Sequence, residues 1–296
     1  MSRAIAAAVL ALSVAAARPA RAEQVDVRKP AASDGLVEIE NPAGSVRVTG
    51  WSNAEVAVSG TLGHRANLIF NVTGGGRRTH VEVEVEGNPH ATHSDIEVRV
   101  PAASRVSIES FASSITVTDV TGPVTAETVN GAISVSGSAK EVSAESVNGA
   151  VDVSGASIRV HAGTVNGTLN VKGARGEIEA NTVNGELRVV GGGAFTRAHL
   201  QTVSGSVRFE GELGPHADLQ AQTVSGEVEL TLPATTAADF TVNTFSGDIR
   251  TDFSVALIRN PGGRHSPQKE LTFSIGGGGA KVAIETLSGA ISLRKR

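Results

Sequence analysis

The sequence predicts an all-β protein, a parallel β-solenoid of about nine coils with an N-terminal β-rich cap. Three observations carry that prediction. A four-residue motif, [Thr/Ser]-[apolar]-[Asn/Ser]-Gly, recurs eight times, from Thr128-Val129-Asn130-Gly131 to Thr286-Leu287-Ser288-Gly289. Its glycines advance by 18, 18, 18, 20, 21, 21 and 42 residues. On both sides of each motif apolar and polar residues alternate, the period of a half-buried strand. A fixed period near 20 residues with one short signature per period is the mark of a stacked repeat.

The alternation defines columns. Val124, Val142, Val160 and Ile178 precede the motif by four residues, and Ala126, Ala144, Ala162 and Ala180 precede it by two. Ile133, Val151, Leu169 and Leu187 follow the glycine by two, and Val135, Val153, Val171 and Val189 by four. Each period therefore reads as two strands and two corners. Inward parity slips at Asn/Ser-Gly, where glycine, and to a lesser degree asparagine, tolerates positive φ. The apolar motif residue, Val129 and its equivalents, is expected to fill the corner, so Val165→Asp should unfold the chain or sharply lower its melting point. Like residues should stack in one Thr/Ser ladder from Thr128 to Thr286, beside an Asn ladder from Asn130 to Asn184.

Upstream, Ser110-Phe111-Ala112-Ser113 is a degenerate copy, and Gly44 with Val46 and Val48 resembles another. Residues 51–103 are strand-like but aperiodic, and 23–103 are read as the cap. The repeats occupy 104–296. The 42-residue step implies an insertion at about 252–281, read as a protruding hairpin or long loop: Phe253–Ile258 and Leu271–Ile275 flank Asn260-Pro261-Gly262-Gly263.

Residues 1–22 read as a secretory signal peptide. Arg3 precedes an apolar run from Ala4 to Ala17, and Ala20-Arg21-Ala22 is a small-x-small cleavage site. The run is too short for a transmembrane anchor. Of 26 basic and 30 acidic residues the leader removes three arginines and no acid, leaving 23 and 30, a net charge of −7. That balance argues against nucleic acid and anionic lipid as partners. There is no cysteine, so neither disulfides nor a lipidated thiol are available.

No catalytic, cofactor or metal site emerges. The eight histidines are scattered. His90 and His93 with Asp95 come nearest to a ligand set, but three-residue spacing on a strand puts the two rings on opposite faces. Glu127 and Glu145 share an outward column, which continues as Gly163, Asn181, Gln201, Gln222, Asn243 and Glu285 and reads as a solvated face. The glycine runs lack the lysine and helix of a phosphate loop, and Gly-x-Ser-x-Gly is absent. A polysaccharide-active enzyme needs clustered acids and aromatic platforms. This chain has one Trp, no Tyr and eight Phe, of which Phe209, Phe240 and Phe245 fall in columns read as inward.

The Val-Asn-Gly and Val-Ser-Gly corners, the lead Val37-Glu38-Ile39-Glu40-Asn41-Pro42-Ala43-Gly44-Ser45-Val46-Arg47-Val48 and the ending from Gly279-Ala280-Lys281-Val282 to Ser288-Gly289 resemble the DUF4097-like family of exported bacterial β-strand-repeat proteins, labelled candidate adhesins. The resemblance covers 36–296. It implies a parallel β-solenoid at the cell envelope and carries over no catalytic residue; some Gram-positive relatives are associated with envelope stress. The expected function is a non-catalytic surface for binding or adhesion, periplasmic or extracellular, whose partner is an envelope protein or surface ligand. An envelope regulatory or stress protein is the alternative, and a polysaccharide enzyme the third. Two contact regions stand out. One is the outward column Arg188, Arg208 and Arg250, interleaved with Glu186, Glu227 and Asp248. The other is the segment 259–270, with Arg259, Arg264, His265 and Lys269 as candidate partner contacts.

Overall fold

The computed structural model describes residues 23–62, 67–86, 93–254 and 269–296. The expected leader lies outside them. Every regular element among the described residues is a strand: β1 (Glu23–Trp51), β2 (Glu55–Leu62), β3 (Asn67–Glu86), β4 (Ser94–Pro101), β5 (Arg105–Thr118), β6 (Val124–Asn130), β7 (Ile133–Gly137), β8 (Glu141–Asn148), β9 (Val151–Gly155) and β10 (Arg159–Asn166). They continue as β11 (Leu169–Lys172), β12 (Gly176–Asn184), β13 (Leu187–Ser204), β14 (Val207–Ser225), β15 (Val228–Leu232), β16 (Ala238–Ser246), β17 (Ile249–Thr251), β18 (Lys269–Ile275), β19 (Ala280–Ser288) and β20 (Ile291–Lys295). The protein is all-β.

Repeats pair in parallel, motif on motif. Ala126 lies opposite Ala144, Ala162 opposite both Ala144 and Ala180, and Ile133 opposite Val151. The inward columns are buried, with Ala126, Ala144, Ala162, Ile133, Val151 and Leu169 at 0% exposure. Each large inward side chain contributes roughly 1.5–3 kcal/mol gross, opposed by chain entropy. Register is reinforced outside the core. Asn148 Nδ2 donates to Asn130 Oδ1 at 2.9 Å, Asn166 to Asn148 at 2.9 Å and Asn184 to Asn166 at 3.0 Å. That is the expected amide ladder.

The sheet is mixed, which corrects the expectation of a uniformly parallel stack. At the N-terminal end Leu36–Thr49 of β1 runs parallel to β5, with Val46 opposite Ile115, so the Gly44 copy is itself a layer. β3 and β4 cover its other side in parallel, and β2 then runs antiparallel to both β4 and the first residues of β1. Asn41, 1% exposed, ties these layers together: its Nδ2 donates to Ser94 O at 3.3 Å and to Ser113 Oγ at 3.1 Å.

The C-terminal end departs from chain order. β14 pairs with β19, and β19 then pairs with β16. The last repeat in sequence therefore lies between the two before it, with Thr286 opposite both Thr223 and Thr244. β20 likewise lies between β15 and β17. This explains the 42-residue step. After β17 the chain passes beyond its own layer, and β18 pairs antiparallel to β16, with Phe273 opposite Phe240. Gly276–Gly279, all at positive φ, then reverse it into the slot that β19 occupies. Phe240 and Phe273 stack at 4.6 Å, with Phe253 5.9 Å from Phe240, closing the end with aromatic surface. The strand-like run expected at Leu271–Ile275 is part of β18, an end strand paired with β16; 255–268 lie outside the described residues.

The corner glycines answer to proximity. No positive φ is required at Gly131, Gly149, Gly167, Gly185, Gly205 or Gly247. A Cβ on Gly149 would stand 1.9 Å from Gly131 O, and one on Gly167 2.1 Å from Gly149 O. The backbones meet too closely for any side chain. Gly163, on an outward column, has no such limit, its nearest neighbour being 3.7 Å away. Gly167→Ala is therefore expected to destabilise by about 1–3 kcal/mol, and Gly163→Ala to change stability by less than about 1 kcal/mol. Thermal and urea melts of the two variants check the contrast.

Candidate functional site: an exposed apolar row

Alternation along the first strand of each repeat continues one residue further than the motif suggests. In β6, Val124, Ala126 and Thr128 point inward, while Thr125, Glu127 and Val129 point outward. The Thr/Ser of the motif fills the corner instead. In two layers its hydroxyl donates to the corner-glycine carbonyl of the preceding layer, Ser146 Oγ to Gly131 O and Thr164 Oγ1 to Gly149 O, each at 2.9 Å, whereas the Thr182, Thr202, Thr223 and Thr286 hydroxyls are buried without a partner. The apolar motif residue is left facing solvent.

This overturns the inward assignment of Val129 and its equivalents. Val147, Val165, Val183, Val203 and Val224 are 38–47% exposed, and Leu287, Phe245 and Phe111 reach 52–59%. Phe209 and Phe240 are buried as expected; Phe245 is not. In spatial order the row runs Phe111, Val129, Val147, Val165, Val183, Val203, Val224, Leu287, Phe245, with larger side chains at both ends. A contiguous apolar row of this extent exceeds the isolated exposed side chains normal for a protein surface. Sequence reasoning had the signal, because parity counted from Val124 and Ala126 already puts Thr128 inside.

The row borders a groove of about 1250 Å³. Its other wall is the outward column two residues earlier, where Glu109, Glu127 and Glu145 give way to Gly163 and then to Asn181, Gln201 and Gln222, with Glu285 between Gln222 and Asn243. The column read as a solvated face is thus one side of a cleft. Gln201 Nε2 donates to Gln222 Oε1 at 2.9 Å along it. His161 stands beside Gly163, its Nε2 3.0 Å from Glu145 Oε1 and its Nδ1 3.4 Å from Glu179 Oε2. Among the described residues the lining includes five glutamates, Glu109, Glu127, Glu145, Glu270 and Glu285, and no lysine or arginine.

Of the candidate partner contacts, Arg259, Arg264 and His265 lie outside the described residues. Lys269 opens β18, and its Nζ lies 2.7 Å from Asp248 Oδ1. That ammonium holds the Asp248 carboxyl below the usual carboxylate range, with Arg250 adding a smaller effect. On the opposite outward column Arg208 pairs with Glu186 and, at 3.5 Å, with Glu229, which also binds Arg294 at 2.8 Å. This part of the column is paired with itself. His93 Nε2 sits 3.3 Å from Asp95 Oδ1, both exposed, and His90 lies outside the described residues. Pairing of β1 with β3 brings together Glu40, His80 and Glu82, which no sequence spacing revealed. His80 Nε2 is 3.5 Å from Glu82 and 3.9 Å from Glu40, while neighbouring Glu38 is engaged by Arg78 at 2.7 Å. The Arg78 guanidinium is held above its ordinary value by that hydrogen bond and charge.

Residues 193–294 match the family model described as Toastrack DUF4097. The match covers the C-terminal third of the chain. That region holds the interleaved C-terminal layers and the Val203–Phe245 end of the apolar row. Several solved structures are similar to the chain. A candidate adhesin from Parabacteroides merdae shares 10% identity over 92% of this chain and 96% of its own, with a TM-score of 0.45. A candidate lipid binding protein from Parabacteroides distasonis shares 13% over 92% and 96%, with a TM-score of 0.41. A candidate cell adhesion protein from Clostridium sporogenes shares 8% over 93% and 99%, with a TM-score of 0.23. No curated protein matches the chain. No helix among the described residues is long and apolar enough to cross a membrane.

Three outcomes follow from the corner geometry. Val165→Asp, exposed at 38%, is expected to change stability by less than about 1 kcal/mol, measured by thermal melting. Thr164 and Thr202 are both buried, but the Thr202 hydroxyl has no partner. Thr164→Val should lower the melting point by losing a hydrogen bond of about 1 kcal/mol, whereas Thr202→Val should leave it unchanged or raise it.

Proposed function

We propose that this chain is a non-catalytic, exported parallel β-solenoid whose lateral groove binds a partner at the cell envelope. The observation that carries the reading is the exposed apolar row with its groove. The inward apolar columns fill the core without the row, so its apolar surface remains for another molecule. The stack makes the groove rigid, which lowers the ordering cost of binding. Chemically, the groove offers apolar contact, carboxylates and amides, a set suited to recognition. Export is supported by the leader read in residues 1–22.

The test is site-specific photocrosslinking in the source cells. A crosslinking amino acid at position 165 should give a discrete partner adduct, and one at Asp152, exposed on the second strand of its repeat, should give none. N-terminal sequencing of the exported protein should begin at Glu23. Equal labelling from both positions, or a chain retaining Met1, counts against the reading.

A further inference from the structure

We propose that the groove receives a basic, amphipathic α-helix from a partner polypeptide. The inference rests on the groove being the binding surface and adds the chemistry of its occupant. Charge is the first argument. The groove wall carries Glu109, Glu127 and Glu145 in consecutive layers. The column continues beyond the groove, with Glu40 opposite Glu109 and Glu82 opposite Glu40. Five carboxylates thus stack at the sheet spacing of about 4.8 Å. Glu145 meets His161, and Glu40 and Glu82 meet His80. Glu109 and Glu127 have no ion-pair partner among the described residues. Adjacent like charges repel, and the groove supplies no lysine or arginine to offset them. A cationic flank on the occupant would.

Period is the second argument. The apolar row presents one side chain per layer, about every 4.8 Å. An α-helix lying along it presents one apolar turn about every 5.4 Å, drifting by roughly 0.6 Å per layer. An extended strand presents same-face side chains about every 6.8 Å, drifting by roughly 2 Å per layer. The helix stays in step over several layers and the strand does not. Nine row positions span roughly 38 Å, the length of about 25 helical residues. A helix with Leu-type anchors at i, i+3, i+4 and i+7 and Lys or Arg along one edge matches both walls. The edge facing that column is basic over Glu109, Glu127 and Glu145 and neutral over Asn181, Gln201 and Gln222 further along the same wall.

The test uses the mature chain and three labelled synthetic 18-residue peptides in fluorescence anisotropy. One has Leu and Lys at helical period, one has the same composition in strict alternation, and one has Leu and Glu at helical period. The basic helical peptide should bind at least tenfold tighter than either control, and its affinity should fall with salt. V147S/V165S/V183S should weaken it at least tenfold with an unchanged melting curve. E109Q/E127Q/E145Q should weaken it and flatten the salt dependence, and this variant serves should the triple serine fail to fold. Equal binding by the alternating or acidic peptide overturns the proposal, as does indifference to the glutamines. Self-crosslinking at position 165 overturns it in favour of a second copy of the chain. A foreign adduct at position 165 without binding of the basic helix leaves the groove as the binding surface and removes this class of partner.

Discussion

Contact between corner backbones of successive layers is the constraint on which the rest depends. Gly131, Gly149, Gly167, Gly185 and Gly205 stack so closely that a Cβ would fall about 2 Å from the carbonyl before it. At that distance one layer can follow another only with a glycine above the corner carbonyl, which belongs to Ser113 beneath Gly131 and to a glycine in the layers after it, and a one-residue slip puts a side chain into a backbone oxygen. Register is thereby locked at one point per layer. The hydroxyl of Ser146 or Thr164 reaching the carbonyl of the glycine below fastens the same corner.

Locked register turns a local sequence choice into a surface. Each outward position becomes a column rising one layer at a time, so a residue type repeated in the motif becomes a stripe. The asparagines form an amide chain, the glutamates of the early layers a row of charge, and the valines an apolar row. None is needed for the core, which the alternating inward residues fill. The outward columns are therefore open to be shaped by recognition, and the groove between the Glu127 and Val129 columns is the place where charge and apolar surface adjoin.

The ends follow another logic. A parallel stack exposes unpaired backbone at its first and last layers. Here β2 and β18 meet those edges running antiparallel, and Phe253 and Phe273 pack over Phe240 at the C-terminal end. The interleaving of β19 and β20 belongs to the same solution. The last repeat carries the full motif and pairs on both sides, so it is a middle layer by chemistry, whatever its place in the chain.

Much of this was legible beforehand. Glycine spacing and two-residue alternation placed the strands, the buried columns and the amide ladder, because those follow from local period and residue size. The corner was misread at one residue: Val129 is apolar and was assigned inward, while Thr128, a polar residue, is the buried one. Residue type misled there because burial of the Thr position is set by the layer stacked against it, which at Ser146 and Thr164 also supplies the hydroxyl with a backbone acceptor. The layer order at the C-terminus was hidden for a related reason, since Thr223, Thr286 and Thr244 carry near-identical motifs and any order satisfies the pattern. Sequence alone determined the repeat, its period and its inward columns. The tertiary structure decided which neighbour each layer takes and which apolar residues stay outside, because both depend on contacts between segments that no local spacing records.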